Sequence, residues 1–166
     1  EEPTSNNHFI LINNQTKPII ETIHSRCIEF KVILKKEQIK KIIETLIAND
    51  SLEVFIDYQI KGLTPGNFLS FNKICEECSI DLNDDYLKNI VVLLNSFKKF
   101  KNKEIINLIL FLTDYHFYSL KNKDFKNNEK IFEQRNFVIK NMNNFVNYNI
   151  NQNSLISVIN NKLLND

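Results

Sequence analysis

Glycine occurs only twice and proline only three times in these 166 residues. Tight β-turns draw heavily on both residues, so an all-β fold built from hairpins has little to work with. No stretch approaches the roughly 18 uncharged apolar residues that a membrane-spanning helix needs. Charge of one sign is also missing: 21 basic against 20 acidic residues leave a formal net charge of +1. That balance excludes the global basic field that drives non-specific nucleic-acid binding. Cysteine occurs three times, an odd number that argues against a disulfide scaffold and for a reducing, cytoplasmic setting. A signal peptide and an initiator methionine are both absent from the sequence, which reads as a fragment of something longer.

What is present is a globular composition, with 43% hydrophobic and 25% charged residues, enough for a real core in one ordinary domain or two small ones. Asparagine is heavily used alongside Lys and Ile, the mark of an AT-rich coding sequence. Its interleaving with helical apolar periodicity sets it apart from prion-like tracts.

The first third reads β-α-β. Phe9-Ile10-Leu11-Ile12 is a continuous apolar run, the pattern of a strand buried on both faces of a parallel sheet. Pro18 suits the first turn of a short helix through His24. From Cys27 to Leu34 a second strand is expected, with Ile28, Phe30, Val32 and Leu34 alternating against Glu29, Lys31 and Ile33. Two strands and one helix cannot cover both faces of a sheet. This region therefore calls for further sequence, a partner chain or a second copy, and partial disorder or dimerisation is expected.

From Lys35 onward the periodicity is helical. Ile39, Ile42, Ile43 and Leu46 mark a first helix. Ser51 is placed as the cap of a second, carrying Leu52, Phe55, Ile56 and Ile60 and stopping at Gly62. Thr64-Pro65 is a cap followed by proline at the first helical position, opening a third through Phe68, Leu69, Phe71 and Ile74. A polar stretch from Ser79 to Asp85 is the best boundary. Beyond it four amphipathic helices follow, marked by Leu87 to Leu94, Ile105 to Leu112, Ile131 to Phe145 and Leu155 to Leu163. The charged Lys121–Asn128 loop and the Tyr148-Asn149-Ile150-Asn151 break separate the last three.

Taken in order, Glu1-Glu2-Pro3, the apolar run ending in Asn13-Asn14, the short helix after Pro18 and Ser25-Arg26-Cys27 before a strand resemble the distal end of the ATPase domain of DNA-polymerase clamp loaders, a branch of the AAA+ family. The resemblance is specific over the first third. It is softer at the Gly62-Leu63-Thr64-Pro65-Gly66 turn, which is similar to the turn opening the third lid helix. Over the last four helices it is positional, apart from the Tyr-Asn-Ile-Asn turn. It implies a mostly α fragment: residues 1–34 the truncated end of an α/β AAA+ core, 35–79 a three-helix lid and 80–166 a helical collar that holds subunits in a ring.

By that resemblance Arg26 is an arginine finger acting in trans on ATP bound to a neighbouring subunit, with Ser25 and Cys27 shaping its junction. A guanidinium stays charged and offers a planar fork of donors, which suits charge developing on a transferring γ-phosphate. Asn13 or Asn14 occupies the position of the polar sensor beside that phosphate, although asparagine after a strand is also an ordinary turn residue. A phosphate-binding loop is absent, so no cofactor is expected on this fragment itself. ATP-hydrolysing relatives carry an arginine soon after the Pro-Gly turn, whereas Gly66-Asn67-Phe68-Leu69 has none. That departure points to the delta-prime subunits of bacterial DNA polymerase III, which keep a finger without hydrolysing. The chain would then be a non-catalytic stator in a DNA-directed DNA polymerase assembly. Gamma/tau and delta subunits would be its partners, with the sliding clamp and primed DNA engaged indirectly. A gamma/tau-like subunit, a free-standing helical adaptor and a helical DNA-binding domain are the alternatives.

Other residue groups carry less. Cys75-Glu76-Glu77-Cys78 has the spacing of a zinc knuckle or redox pair, but no second ligand pair matches it, and it ends a helix rather than opening one. His8, His24 and His116 are dispersed, and His116 sits in an aromatic patch that suits packing. Lys98, Lys99, Lys101 and Lys103 read as a solvated helix end.

Overall fold

In the computed structural model, which describes residues 8–13, 18–60, 62–82, 84–123 and 127–164, the chain is mostly helical and falls into two units, Glu1–Leu34 and Lys35–Asp166.

Among its described residues the first unit contains one short helix, α1 (Glu21–His24). No strand forms among the described residues, which corrects the β-α-β expectation for this region. The reason is visible in the exposures. Phe9, Ile10 and Ile12 are 79%, 89% and 94% exposed, and Ile28, Phe30 and Val32 are each above 80%. A strand is stabilised by ladder partners and by a covered face, and these runs have neither. Alternation in the sequence fixes which side chains would share a face, but it cannot supply the neighbouring strand.

The second unit holds six helices among the described residues: α2 (Lys36–Asp50), α3 (Pro65–Cys78), α4 (Tyr86–Phe100), α5 (Lys103–Lys123), α6 (Asn128–Tyr148) and α7 (Gln152–Leu164). Their starts follow the local chemistry. Thr64 accepts a hydrogen bond from the Asn67 amide with Pro65 at the first helical position, and Asp85 caps α4 by accepting from the Lys88 amide. At α2 the Gln38 side chain reaches back to accept from the Lys35 amide; lysine has no acceptor with which to complete the reciprocal bond. Asn151 accepts from the amides of Asn153 and Ser154 at the start of α7.

The helix ends are less orthodox. Ser51, Ser79, Lys101 and Asn149 all take the left-handed conformation, with φ between 50° and 54°, that usually falls to glycine. Each ends a helix in a chain that has almost no glycine to offer.

One predicted helix does not form. Ser51 terminates α2 rather than opening a new helix, and the described residues of 51–64 form an irregular connection. Its apolar residues are nevertheless used: Ile56 and Leu63 are buried, and Phe55, Tyr58 and Ile60 pack against the core. Of the three helices expected between 35 and 79, two are present. The four helices expected after residue 80 are all present, and α5 runs on through Lys123 into what reads as loop.

Helix α5 is the hub. It packs on α4, α6 and α3, while α7 rests on α6 and returns to α4, so that α4 to α7 close on one another. Helix α2 reaches the rest through α3. The core side chains Leu93, Leu94, Leu108 and Ile109 are completely buried, each contributing about 1.5–3 kcal/mol relative to exposure. Met142, Val138 and Ile159 carry the same core into α6 and α7.

Candidate functional site

The residues singled out in the first unit sit on a turn. Ile20 precedes α1, and its carbonyl accepts from the amides of Ile23 and His24. Ser25 closes the helix: its amide donates to Glu21 O at 2.9 Å and its hydroxyl to Thr22 O at 3.2 Å. The Arg26 amide donates to Ile23 O and the Cys27 amide to His24 O, so Ser25-Arg26-Cys27 wraps back over the last turn of α1. The Arg26 side chain is exposed, and no described residue pairs with it. Cys27 is a free, exposed thiol. Beside the turn, His24 Nε2 lies 3.5 Å from a Glu29 carboxylate oxygen, both side chains being more than half exposed. Asn13 is exposed, and Asn14 lies outside the described residues.

The second unit contains a feature that sequence reading missed. A cleft of 740 Å³ opens between the 57–62 segment and helices α5 and α6. Phe111, Tyr115, Tyr118 and Phe132 form its aromatic walls, and Asp57, Lys121 and Arg135 bring charge to it. Tyr118 and Phe132 are 58% and 59% exposed. Arg135 donates from Nε and Nη2 to the same Asp114 oxygen, at 2.8 and 2.7 Å, and from Nη1 to Asn136 Oδ1. Most of its fork is therefore committed to joining α6 to α5. Asp57, Gln59, Ile60 and Gly62 line the cleft from a stretch whose described residues form no helix, so the periodicity that predicts a helix there could not reveal it.

Next to the cleft lies a polar chain inside the core. Thr113 donates its hydroxyl to Ile109 O, which leaves its oxygen to accept the Tyr86 hydroxyl at 2.8 Å. Burial pushes the Tyr86 phenol up to about 12. His116 stacks on Tyr86 with ring centres 4.3 Å apart, the packed role its aromatic surroundings suggested.

Cys75 is completely buried, and burial pushes its thiol up to about 12 with a smaller contribution from Cys78. Cys78 donates to Ser96 Oγ at 3.3 Å. A thiol held this far from ionising is a poor nucleophile. Among the described residues no cluster of His, Cys, Asp and Glu could hold a metal ion. Lys98 and Lys99 are exposed in the last turn of α4, where positive charge complements the helix dipole.

Among the described residues no helix is long and apolar enough to cross a membrane. Comparison with protein-family models, curated proteins and solved structures yields no match to this chain.

Proposed function

We propose that this chain is part of a clamp-loader subunit of the delta-prime kind. In this reading it is a stator whose Arg26 reaches ATP on an adjacent subunit and whose C-terminal helices hold the ring together. The observation that carries the reading is Arg26 itself: an exposed guanidinium on a short turn, directly after a four-residue helix, in the order Ser25-Arg26-Cys27. An arginine so placed keeps its donors for a partner's phosphate, and a finger supplied in trans changes phosphoryl transfer by orders of magnitude. The Thr64-Pro65 start of α3 and the four helices from Tyr86 to Leu164 are compatible with a lid element and a collar. Without an arginine at 66–69, the stator role is favoured over that of a gamma/tau-like, hydrolysing subunit.

The test joins the chain to its upstream ATPase sequence, reconstitutes the loader with gamma/tau and delta subunits, and compares wild type with Arg26→Ala. Normal assembly with ATP turnover lowered at least about tenfold supports the finger. Unchanged turnover in an assembled complex removes the finger and leaves only a scaffold.

A second reading, a helical adaptor, is favoured by the aromatic cleft between α5 and α6. It predicts a stable chain that gains nothing from loader subunits and binds a partner through Tyr118 and Phe132.

A further inference from the structure

The segment after Arg26 presents an uncovered apolar surface in the first unit. Between Ile28 and Val32 the apolar side chains are all more than 80% exposed. The backbone amides of 28–34 find no hydrogen-bond partner among the described residues. An unpaired backbone bearing alternating apolar side chains is a template for another strand. The question is which strand.

Charge answers it. In an antiparallel pair of two identical segments, directly opposed residues have numbers with a constant sum, and they lie on the same face of the ribbon. With Phe30 opposite Phe30 of a second copy, Ile28 falls opposite Val32, and Glu29 falls opposite Lys31, each pair occurring twice. One face then carries only apolar pairs. The other carries two complementary ion pairs flanked by Cys27 against Ile33. We infer that Ile28–Val32 pairs antiparallel with the same segment of a second copy of this chain, in the register that sets Glu29 against Lys31. A two-stranded ribbon is marginal alone. The uncovered Phe9–Ile12 run of each copy offers further apolar surface in the same unit. The interaction does not depend on the clamp-loader reading, and its test uses neither ATP nor loader subunits.

Sedimentation equilibrium of the 166-residue chain, under reducing conditions, provides the test. Wild type is expected to dimerise. Glu29→Lys alone and Lys31→Glu alone each set like charges opposite one another twice and are expected to weaken the dimer about tenfold or more. An equimolar mixture of the two single variants opposes lysines with glutamates and is expected to recover association as a heterodimer. That recovery also separates register from the loss of the exposed His24–Glu29 contact. A wild-type monomer, single variants that associate like wild type, or a mixture no tighter than its components would each overturn the inference. In the same register Ile33→Cys faces Cys27 of the partner copy, so mild oxidation is expected to link two chains covalently; failure to cross-link a dimeric variant would overturn the register.

Discussion

Phe55 donates its backbone amide to Asn72 Oδ1 at 2.8 Å, and the same side-chain amide donates from Nδ2 to Glu53 O at 2.6 Å. A second amide, that of Ile56, approaches the same oxygen at 3.4 Å. Asn72 lies on α3 and is buried, so one side chain supplies to the irregular 53–56 backbone the partners that a helix would have supplied internally. This bond set holds Ile56 in the core. Asn72→Ala strands two amides and a carbonyl, and is expected to destabilise the fold by about 2–4 kcal/mol, measured by urea denaturation. Asn72→Asp keeps the acceptor but sets a carboxylate against Glu53 O, so it is expected to recover little of the loss.

Alkaline pH is expected to unfold the protein by a defined route. The folded state holds both the Cys75 thiol and the Tyr86 phenol above their ordinary values, at about 12 each. A group whose pKa is raised on folding contributes stability fully below its unfolded pKa and loses it as pH climbs to the folded value. For Cys75 the loss begins near 9 and for Tyr86 near 10, and both end near 12. Each group contributes a slope of about 1.4 kcal/mol per pH unit within its window. Cys75→Ala is expected to flatten the dependence of urea stability on pH between 9 and 10, where Tyr86 has not begun to titrate. An unchanged slope there would contradict the assignment.

The Arg135–Asp114 pair joins α6 to α5 beside the cleft and is only partly shielded, with side chains 33% and 54% exposed. A double-mutant cycle with Arg135→Ala and Asp114→Ala is therefore expected to give a coupling of no more than about 1 kcal/mol. A larger coupling would mean that the cleft is drier than its exposures indicate.

Helix ends offer stabilisation. Ser79 holds φ at 52° while its amide donates to Cys75 O and Glu76 O. Glycine occupies that conformation without the Cβ clash, so Ser79→Gly is expected to raise stability by about 1 kcal/mol, read from the same denaturation curves. Gly62, at φ 92°, gives the opposite control: Gly62→Ala is expected to lower stability although no atom crowds the site.

Where local chemistry decides the structure, the sequence announces it. Thr64-Pro65 starts α3, Asp85 starts α4, and the apolar spacing from Tyr86 onward yields four helices. Where a distant residue decides, it does not. The helical spacing of Leu52, Phe55, Ile56 and Ile60 is real, but Asn72 captures the backbone of that stretch, and a lone Asn inside an amphipathic helix gives no hint of it. The aromatic cleft was hidden for the same reason. The strand expected at 9–12 rests on a continuous apolar run and the one at 27–34 on alternation, and both patterns need a neighbouring strand before they become structure. Arg26 stands out through the order of the segments around it, and its exposure on a turn adds the accessibility that the sequence could not.

Arg26→Ala is expected to leave the melting temperature and urea midpoint unchanged within about 0.5 kcal/mol, since no described residue pairs with the side chain. The division of the chain at Leu34 carries this further. Among the described residues every buried apolar side chain lies within 35–166, and with it most of the heat absorbed on melting. A calorimeter or a circular-dichroism melt therefore records one part of the molecule and is blind to the other. A variant could abolish everything the first 34 residues do and still pass every stability assay as wild type. Only a readout that depends on another molecule, through association or turnover, can detect the difference.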